Sequence, residues 1–319
     1  AVVVDETSGQ AVFSIARSRG DVAASLDFAT ADRRELTIHI AATVDAGEGN
    51  DVVHATNLGD NVFGGAGNDT LNGGRLDDWL LGGDGDDLLD AGSEDANALG
   101  GDGNYLNGGT GNDILRGREG SDWLDGGEGI DQISGGAGDD VVTGGAGDGD
   151  SLKGGLDDDQ YLIRLGDGAD VADDEPNGAP QAAPGGGDYV SQRMAGLFGG
   201  TIKKNWAGDA PGVVEKNAIG GEDAIVFGAG IDLSDIQLVR SSTDSDDLII
   251  RVMQAVNGVP SFTGTQLTVK DWFADYFKRI EWLRFVDGTE VRIGDITSFV
   301  VGGAGNDVLI GTSGNDFVY

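Results

Sequence analysis

The sequence predicts an all-β fold in which short parallel strands stack into a solenoid, flanked by further β-rich segments and one short helix. Three observations predict it. A nine-residue unit recurs over residues 46–173, the units carry an apolar residue at one fixed place, and glycine, with 58 of 319 residues, recurs at fixed positions of the unit. One unit cannot bury its apolar side chain alone, so a core forms only when units stack.

The clearest copies of the unit read GGAGNDTLN (64–72), GGDGDDLLD (82–90) and GGAGDDVVT (135–143). Glycine at the first, second and fourth positions permits the positive φ of a tight turn. The eighth position lies in a short strand whose side chains alternate between two faces, which predicts that it points inward. This predicted core consists of Val53, Val62, Leu71, Leu80, Leu89, Leu115, Leu124, Ile133, Val142, Leu152 and Tyr161.

The sixth position holds aspartate in register over two runs, from Asp51 to Asp87 and from Asp113 to Asp140. The following unit, 144–153, contains ten residues, and the next returns to nine. Between the two runs, residues 91–107 number 17 where two units need 18, and Asn104 stands where aspartate is expected. We interpret this segment as two irregular units.

The charge of the chain favours a cation as its ligand. Acidic residues outnumber basic ones by 56 to 20, for a net charge of −36, and residues 46–173 alone hold 29 acidic and 5 basic side chains. Nucleic acid and anionic membranes would be repelled. Carboxylates stacked in successive turns repel one another until a divalent cation that prefers oxygen ligands lies between them. The absence of cysteine and the presence of only two histidines argue against zinc or iron.

The unit resembles the RTX, or haemolysin-type calcium-binding, repeat over residues 46–173 and again over 302–319. The resemblance implies a right-handed parallel β-roll, in which successive units alternate between two sheets and Ca²⁺ lies between units 18 residues apart. The implied carboxylate ligands are Asp51, Asp60, Asp69, Asp78, Asp87, Asp113, Asp122, Asp131, Asp140, Asp150, Asp159, Asp307 and Asp316. The implied carbonyl ligands are those of Gly47, Gly49, Gly64, Gly65, Ala66, Gly67, Gly82, Asp84, Gly109, Gly111, Gly120, Gly126, Gly127, Glu128, Gly129, Gly135, Gly136, Ala137, Gly138, Gly154 and Leu156.

The resemblance also implies rows of aspartates along the two edges of the roll. Asp51, Asp69 and Asp87 would form one row, and Asp60 and Asp78 the other. If the irregular segment counts as two units, the first row continues with Asp122, Asp140 and Asp159 and the second with Asp113, Asp131 and Asp150. This arrangement predicts about seven calcium ions in residues 46–173. Asp60 lacks turn glycines before it and Asp150 follows an added residue, so these two sites depart most from the pattern.

If the irregular segment counts as two units, the sequence also predicts a row of apolar side chains on the outer face of one sheet. Residues 174–221 or another molecule would cover this row. That row consists of the seventh-position residues Val52, Thr70, Leu88, Tyr105, Trp123 and Val141.

We divide the chain into five parts. They are a β-rich N-terminal cap or lead-in segment (1–45), the β-roll (46–173), a long Pro/Gly-rich insertion (174–221), a β domain (222–297) and the start of a second array (298–319). The β domain resembles the haemolysin-type calcium-binding-related domain through DAIVFGAGI (223–231), LTVKDWF (267–273) and RIEWLRFVDGTEVRI (279–293), which predict four to six strands and a short helix near Trp272–Phe277. Two units are too few for a stable second array, which predicts that the natural polypeptide continues.

An enzyme is not expected. The letters GDSL at 149–152 and DxxH at 51–54 match parts of a hydrolase signature, but about eleven units of solenoid would separate Ser151 from His54. The resemblance implies instead a calcium-binding structural module of a large secreted bacterial protein, of adhesin or surface-layer type. Such a module leaves a Gram-negative cell by type I secretion and folds on binding calcium outside the cell.

Two other functions stay open at this point. The chain could be the C-terminal repeat and secretion segment of an RTX toxin or secreted hydrolase whose active domain lies elsewhere, or a calcium-dependent self-assembling filament. The expected partners are calcium, the remainder of a longer polypeptide, and a protein or cell-surface ligand or a second copy. Neither nucleic acid nor membrane insertion is expected.

Overall fold

The structure is a computed structural model, and two long sheets dominate the part of the chain that it describes. The described residues are 2–5, 10–13, 24–27, 35–37, 42–56, 58–92, 103–173, 223–244, 246–274, 280–293, 296–300 and 315–318. The two sheets have eleven strands each and lie on opposite sides of one apolar core. The predicted parallel β-roll is confirmed.

From β3 to β20, successive strands of the chain alternate between the two sheets. The first sheet contains, in spatial order, β4 (Glu35–Thr37), β6 (Val52–His54), β8 (Thr70–Gly74), β10 (Leu88–Gly92), β12 (Ile114–Glu119), β14 (Gln132–Ala137), β16 (Ser151–Leu156), β18 (Ala169–Ala172), β22 (Val259–Val269), β21 (Leu248–Val256) and β20 (Ile236–Arg240). The second contains β3 (Ala24–Asp27), β5 (Ala42–Glu48), β7 (Asn61–Ala66), β9 (Trp79–Asp84), β11 (Tyr105–Thr110), β13 (Trp123–Glu128), β15 (Val141–Ala146), β17 (Gln160–Ile163), β19 (Ala224–Phe227), β23 (Trp282–Phe285) and β24 (Glu290–Arg292).

Two smaller pairs complete the described strands. β1 (Val2–Asp5) pairs antiparallel with β2 (Gln10–Phe13), and β25 (Ile296–Val300) pairs parallel with β26 (Asn315–Val318). In the predicted β-rich segment, the stretches of alternating apolar residues are Ala11–Ala16 and Glu35–Ile40, which contribute Ala11–Phe13 to β2 and Glu35–Thr37 to β4. Their remaining residues lie outside the described part of the chain.

The eighth position of every unit is buried between the sheets. All eleven side chains predicted for the core are at most 2% exposed, and Leu106 joins them. Val62 pairs with Leu80 and Leu71 with Leu89, so that in these regular units each residue stacks on the one 18 positions away. Burying a side chain of this size stabilises the fold by roughly 1.5–3 kcal/mol, but only because the neighbouring units supply the other walls.

The irregular segment forms one connection, where the sequence suggested two irregular units. Leu89 in β10 pairs with Leu115 in β12, and Leu80 in β9 pairs with Leu106 in β11, so the offset across this segment is 26 residues instead of 18. Residues 93–102 lie outside the described residues. The continuation of the two aspartate rows predicted from the sequence is therefore wrong, because the intervening segment does not count as two units.

Because of this 26-residue offset, the residues predicted to form one apolar outer row belong to two different sheets, so that prediction is also wrong. Tyr105 lies between Trp79 and Trp123 on neighbouring strands of the second sheet, whereas Leu88 pairs with Ile114 in the first. The rings of Trp79 and Tyr105 lie 5.0 Å apart between centroids. Trp123 is buried at 1% exposed. The proposed cover, residues 174–221, lies outside the described residues.

The strands after residue 222 extend the sheets of the roll. β19 pairs parallel with β17, and β22 pairs parallel with β18. Antiparallel strands then finish both sheets, with β21 and β20 following β22 and β24 following β23. The boundary predicted at residue 222 therefore does not coincide with a break in either sheet.

Helical structure is nearly absent from the described residues. One 3₁₀ turn spans Leu233–Asp235. Of the helix predicted near Trp272–Phe277, the described residues up to Ala274 form a turn, and 275–279 lie outside the described part. Within the described chain, no helix has the length and apolar character needed to cross a membrane.

We call the two borders of the roll edge 1 and edge 2. At edge 1 the chain passes from the second sheet to the first, as between β7 and β8, and at edge 2 it returns, as between β8 and β9. The sixth position of each unit lies immediately before a strand at one of these edges.

Candidate calcium sites

The sixth-position residues form two continuous rows. At each step the backbone N–H of one residue donates to the Oδ1 of the next residue along the edge, with N–O distances of 2.6 to 3.1 Å. Edge 1 carries Asp51, Asp69, Asp87, Asp113, Asp131, Asp150 and Asp170. Edge 2 carries Asp60, Asp78, Asn104, Asp122, Asp140, Asp159 and Asp223.

The second carboxylate oxygen of many of these aspartates is buried without a hydrogen-bond partner among the described residues. This holds for the Oδ2 atoms of Asp69, Asp87, Asp113, Asp131, Asp140 and Asp150. Their side chains belong to residues that are at most 3% exposed. A buried carboxylate oxygen that no N–H or O–H satisfies is costly, so the arrangement calls for a positive ligand.

The first-position glycines hold these oxygens close to backbone carbonyls. A Cβ placed on Gly64 would lie 2.4 Å from Asp69 Oδ2 and 2.6 Å from the carbonyl oxygen of Gly82. On Gly126 it would lie 2.3 Å from Asp131 Oδ2 and 2.4 Å from the oxygen of Gly144. Any side chain at these glycines would fill the space between a carboxylate and a carbonyl oxygen.

Carbonyl oxygens at the second and fourth positions point toward the following unit of the same edge. The oxygen of Gly47 lies 2.0 Å from where a Cβ on Gly65 would stand, and that of Gly49 lies 2.2 Å from the corresponding point of Gly67. The third-position carbonyls predicted as ligands already accept one backbone hydrogen bond each, as Ala66 does from Gly49 at 2.7 Å. A carbonyl oxygen has two lone pairs, so this bond leaves one available.

Without a cation, the rows disfavour ionised carboxylates. Burial raises the pKa of Asp87 and of Asp131 to about 7, and the amide hydrogen bond from the preceding aspartate opposes that rise only in part. Repulsion from neighbouring carboxylates adds to it, from Asp113 and Asp69 around Asp87. Burial likewise raises the pKa of Asp69 and of Asp113 to about 6.

The residues present fit Ca²⁺. The donors are carboxylate and carbonyl oxygens, which are the ligands that calcium prefers, and unsatisfied buried carboxylate oxygens face the turns where it would bind. Among the described residues, no three side chains of His, Cys, Asp or Glu converge on a point. A cation would therefore be held by carboxylates from two neighbouring units together with backbone carbonyls.

Comparison with known protein families supports the same conclusion. The family model of the RTX calcium-binding nonapeptide repeat, which spans four copies, matches residues 63–95, 99–133, 117–149, 125–161 and 298–319. The chain carries RTX calcium-binding repeats. No curated protein matches the chain. Which individual residues of the RTX array bind calcium, and how many ions they hold, stay predictions.

The structure places most of the predicted ligands in the two rows of the RTX array. Asp60 keeps its place although its unit lacks turn glycines, and its Oδ2 accepts hydrogen bonds from the N–H and hydroxyl of Thr56 at 2.7 and 2.8 Å. Asp150 also keeps its place despite the added residue. Asp307 lies outside the described residues, and for Asp316 only its place in β26 is described.

Three row residues are missed by the sequence analysis. Asp170 extends edge 1, and Asp223 extends edge 2. Glu281 continues edge 2, because its Oε2 accepts from the N–H of Asp223 at 3.0 Å. The signal that could have found them is an acidic residue one position before the strand triplets VAD, AIV and WLR.

Asn104 changes the chemistry of edge 2. Its Oδ1 accepts from the N–H of Asp78 at 2.8 Å, as an aspartate would, but its Nδ2 donates to Oδ1 of Asp122 at 3.0 Å. A neutral amide therefore replaces one carboxylate of the row and itself contacts the next carboxylate. At this position edge 2 therefore has the least negative charge for a cation to neutralise.

Two units keep the left-handed turn backbone without glycine. Arg118 occupies a second position with φ 82°, and Asp157 a fourth position with φ 76°. Arg118 forms an ion pair with Asp90, in which its Nε donates to Oδ1 at 2.9 Å. For Asp157, burial raises the pKa and the neighbouring Asp158 adds to the rise.

We expect Asp157→Gly to stabilise the calcium-loaded chain by about 1 kcal/mol, because glycine adopts positive φ without the steric cost of about 1–2 kcal/mol that other residues bear. The midpoint of thermal unfolding in saturating calcium measures the change. Asp158→Gly is the matched control, since Asp158 is exposed and its φ is not positive. An equal gain from both substitutions would show that lost charge, and not backbone strain, is responsible.

Proposed function

We propose that this chain is a calcium-responsive structural module of a large secreted RTX protein, of adhesin or surface-layer type. It stays unfolded where calcium is scarce, as in the cytosol before type I secretion, and folds outside the cell where calcium is plentiful. The observation that carries the proposal is a set of buried Oδ2 atoms without hydrogen-bond partners in the described chain, which belong to Asp69, Asp87, Asp113, Asp131 and Asp150 on edge 1 and to Asp140 on edge 2. Their charge opposes folding until a cation neutralises it.

The physical basis of the switch is linkage between binding and folding. An ion that binds only the folded chain stabilises it by an amount that grows with ion concentration. In the RTX array the proposed ligands of one ion come from two stacked units, such as those of Asp113 and Asp131, which are joined by a hydrogen bond from the Asp113 N–H to Asp131 Oδ1. Because units stabilise only their neighbours, filling one site favours the next, and folding becomes cooperative.

A structural role without catalysis is part of this proposal. Ser151 lies in β16 and His54 in β6, five strands apart in the same sheet. At a strand spacing of about 4.8 Å, their backbones are separated by roughly 24 Å. This distance is far beyond the hydrogen-bond reach that a serine nucleophile and its base require.

A calcium titration of the whole chain, followed by far-UV circular dichroism at neutral pH, tests the proposal. We expect a cooperative rise of the β signal with a midpoint on the order of 10⁻⁴–10⁻³ M, the range of extracellular calcium modules. Magnesium at the same concentrations is the control, because it demands shorter bonds and an octahedral shell. Full β signal in excess chelator at neutral pH, or an equal response to magnesium, would contradict the proposal.

A further inference from the structure

The unit of residues 55–63 opens the row of edge 2 and departs most from the repeat. It reads ATNLGDNVF, so the glycines of the first, second and fourth positions are replaced, by Ala55, Thr56 and Leu58. Its sixth position still joins the row, because the N–H of Asp60 donates to Oδ1 of Asp78 at 2.7 Å. The unit therefore stacks on the next unit of edge 2, 73–81, although its turn is built from different residues.

The backbone of this turn differs from that of the regular turns. Second-position glycines of edge 2 have positive φ, 137° at Gly74 and 130° at Gly136, whereas the φ of Thr56 is not positive. The turn of unit 55–63 therefore follows a different backbone path at the position whose carbonyl is an implied calcium ligand in other units.

The first position of the unit also closes the regular place of the carboxylate. A Cβ on the first-position glycine Gly73 would lie 2.4 Å from Oδ2 of Asp78, which is far closer than real atoms approach. Unit 55–63 has a Cβ at its first position, on Ala55. Oδ2 of Asp60 must therefore find other partners.

Thr56 supplies these partners. Its N–H donates to Oδ2 of Asp60 at 2.7 Å, and its hydroxyl donates to the same oxygen at 2.8 Å. Both residues are buried, with Thr56 6% and Asp60 1% exposed. By contrast, Oδ2 of Asp140, in a regular turn of the same edge, is buried without a hydrogen-bond partner in the described chain. Hydrogen bonds to a carboxylate are strong, so two of them compensate for much of the hydration that this oxygen loses.

The hydroxyl of Thr56 is oriented for this role. Its oxygen accepts the N–H of Leu58 at 3.1 Å, which leaves the hydroxyl hydrogen for Asp60. A glycine at the second position has no side chain and could supply the backbone donor alone. The hydroxyl is therefore a feature that unit 55–63 gains by departing from the repeat.

We propose that Thr56 replaces a calcium ion at the step from unit 55–63 to unit 73–81, so that these two units stack through hydrogen bonds alone. The proposal rests on the calcium-dependent function proposed above, because it defines where on edge 2 ion-dependent stacking begins. The N–H and O–H of Thr56 present to Asp60 the positive pole that an ion presents elsewhere. Unlike an ion, they belong to the chain and do not depend on concentration.

This step gives edge 2 a fixed starting point. Units of a solenoid stabilise only their neighbours, so a unit that is held without an ion presents a ready surface to the next one. The pairing of Val62 with Leu80 buries apolar side chains across the same step. One step contains too few units for a stable solenoid, so the chain still requires calcium to fold. Ion binding beyond Asp78 would then extend a stack whose first step is already formed.

The test is the number of calcium ions bound by the whole chain, counted by native mass spectrometry in saturating calcium. Asp60→Asn and its matched control Asp140→Asn both change sixth-position residues of edge 2. Asparagine fits the row, because Oδ1 of Asn104 already accepts the N–H of Asp78, and an amide oxygen can accept both bonds from Thr56. We expect Asp60→Asn to bind as many ions as the parent, and Asp140→Asn to bind at least one fewer.

A converse variant restores the regular turn. Ala55→Gly, Thr56→Gly and Leu58→Gly together give the unit its three glycines and remove the donor hydroxyl. We expect this combined variant to bind one ion more than the parent with its β signal retained, because Asp60 then needs a cation as Asp140 does. Thr56→Ser keeps both donors and should leave the number of ions unchanged.

Two kinds of result would overturn the proposal. Loss of an ion in Asp60→Asn would show that this step already holds calcium beside Thr56. A combined glycine variant that gains no ion, or that fails to fold in saturating calcium, would show that Thr56 serves the turn in a way that an ion cannot replace. If the parent bound no calcium, Asp140→Asn would lose none, and this separate outcome would mean that the proposed function itself fails.

Discussion

In the absence of calcium, raising the pH from about 4.5 to about 7.5 is expected to unfold the β-roll. The carboxylates that line both edges have raised pKa values in the folded chain, about 6 for Asp69 and Asp113 and about 7 for Asp87 and Asp131. In the unfolded chain they return to the ordinary value of about 3.9. Between these values the folded state binds more protons than the unfolded state, so its stability falls as the pH rises.

The expected effect is large because the contributions accumulate. A tenfold change in proton affinity corresponds to about 1.4 kcal/mol, and several aspartates are shifted by more than that. Their sum is comparable with the whole stability of a typical domain, about 5–15 kcal/mol. The contribution of these protonated aspartates to the free energy of unfolding is fully present below about pH 4 and is lost progressively as the pH passes 6 and 7.

Far-UV circular dichroism in excess chelator across this pH range measures the effect, and saturating calcium provides the control. With calcium bound the carboxylates stay ionised, so we expect the β signal to be independent of pH between 5 and 8. A calcium-free β signal that stays constant, or that increases with pH, would show that buried carboxylate charge does not control folding.

The second large effect is expected for Gly109→Ala, which should destabilise the calcium-loaded roll by about 2–5 kcal/mol. Gly109 has φ of 112°, where a residue with a Cβ is strained by about 1–2 kcal/mol. Its added Cβ would also lie 2.1 Å from the carbonyl oxygen of Gly83 in the stacked unit. That oxygen belongs to backbone and cannot rotate away, so overpacking adds about 1–3 kcal/mol.

Gly258→Ala separates the two contributions. Gly258 has φ of 78° in the turn between β21 and β22, but nothing lies within 4 Å of an added Cβ. We expect only the backbone cost there, about 1–2 kcal/mol. Chemical denaturation in saturating calcium compares the two variants. Equal losses would mean that close stacking of the turns does not limit substitution.

Regular repeats made the fold and most row residues predictable. Glycine, aspartate and an aliphatic residue at fixed spacing define a turn, an edge and a core, as Gly64, Asp69 and Leu71 do within one unit. Each requirement is local, so it can be read without knowing the partner unit. This is why the place of Asp51 at an edge and the burial of Leu124 in the core agree with expectation.

Predictions failed where the answer depended on which units become neighbours. The 17 residues from 91 to 107 are close in number to two units, yet Leu89 pairs with Leu115 and only one connection is made. Asp170 was missed because Leu165 replaces the first glycine, and Asp223 because 64 residues separate it from Asp159. Counting along the chain cannot reveal a partner that a long connection brings into place.

The long connections at edge 2 show how the roll can accept foreign sequence. Residues 93–102 and 174–222 both connect the first sheet to the second, and in each case the row residue comes directly before the new strand, Asn104 before β11 and Asp223 before β19. The row residue, and not the length of the connection before it, therefore sets the register of the strand that follows. A peptide grafted between Gly92 and Gly103 should therefore be displayed without moving any strand, which makes this edge a natural scaffold for presentation.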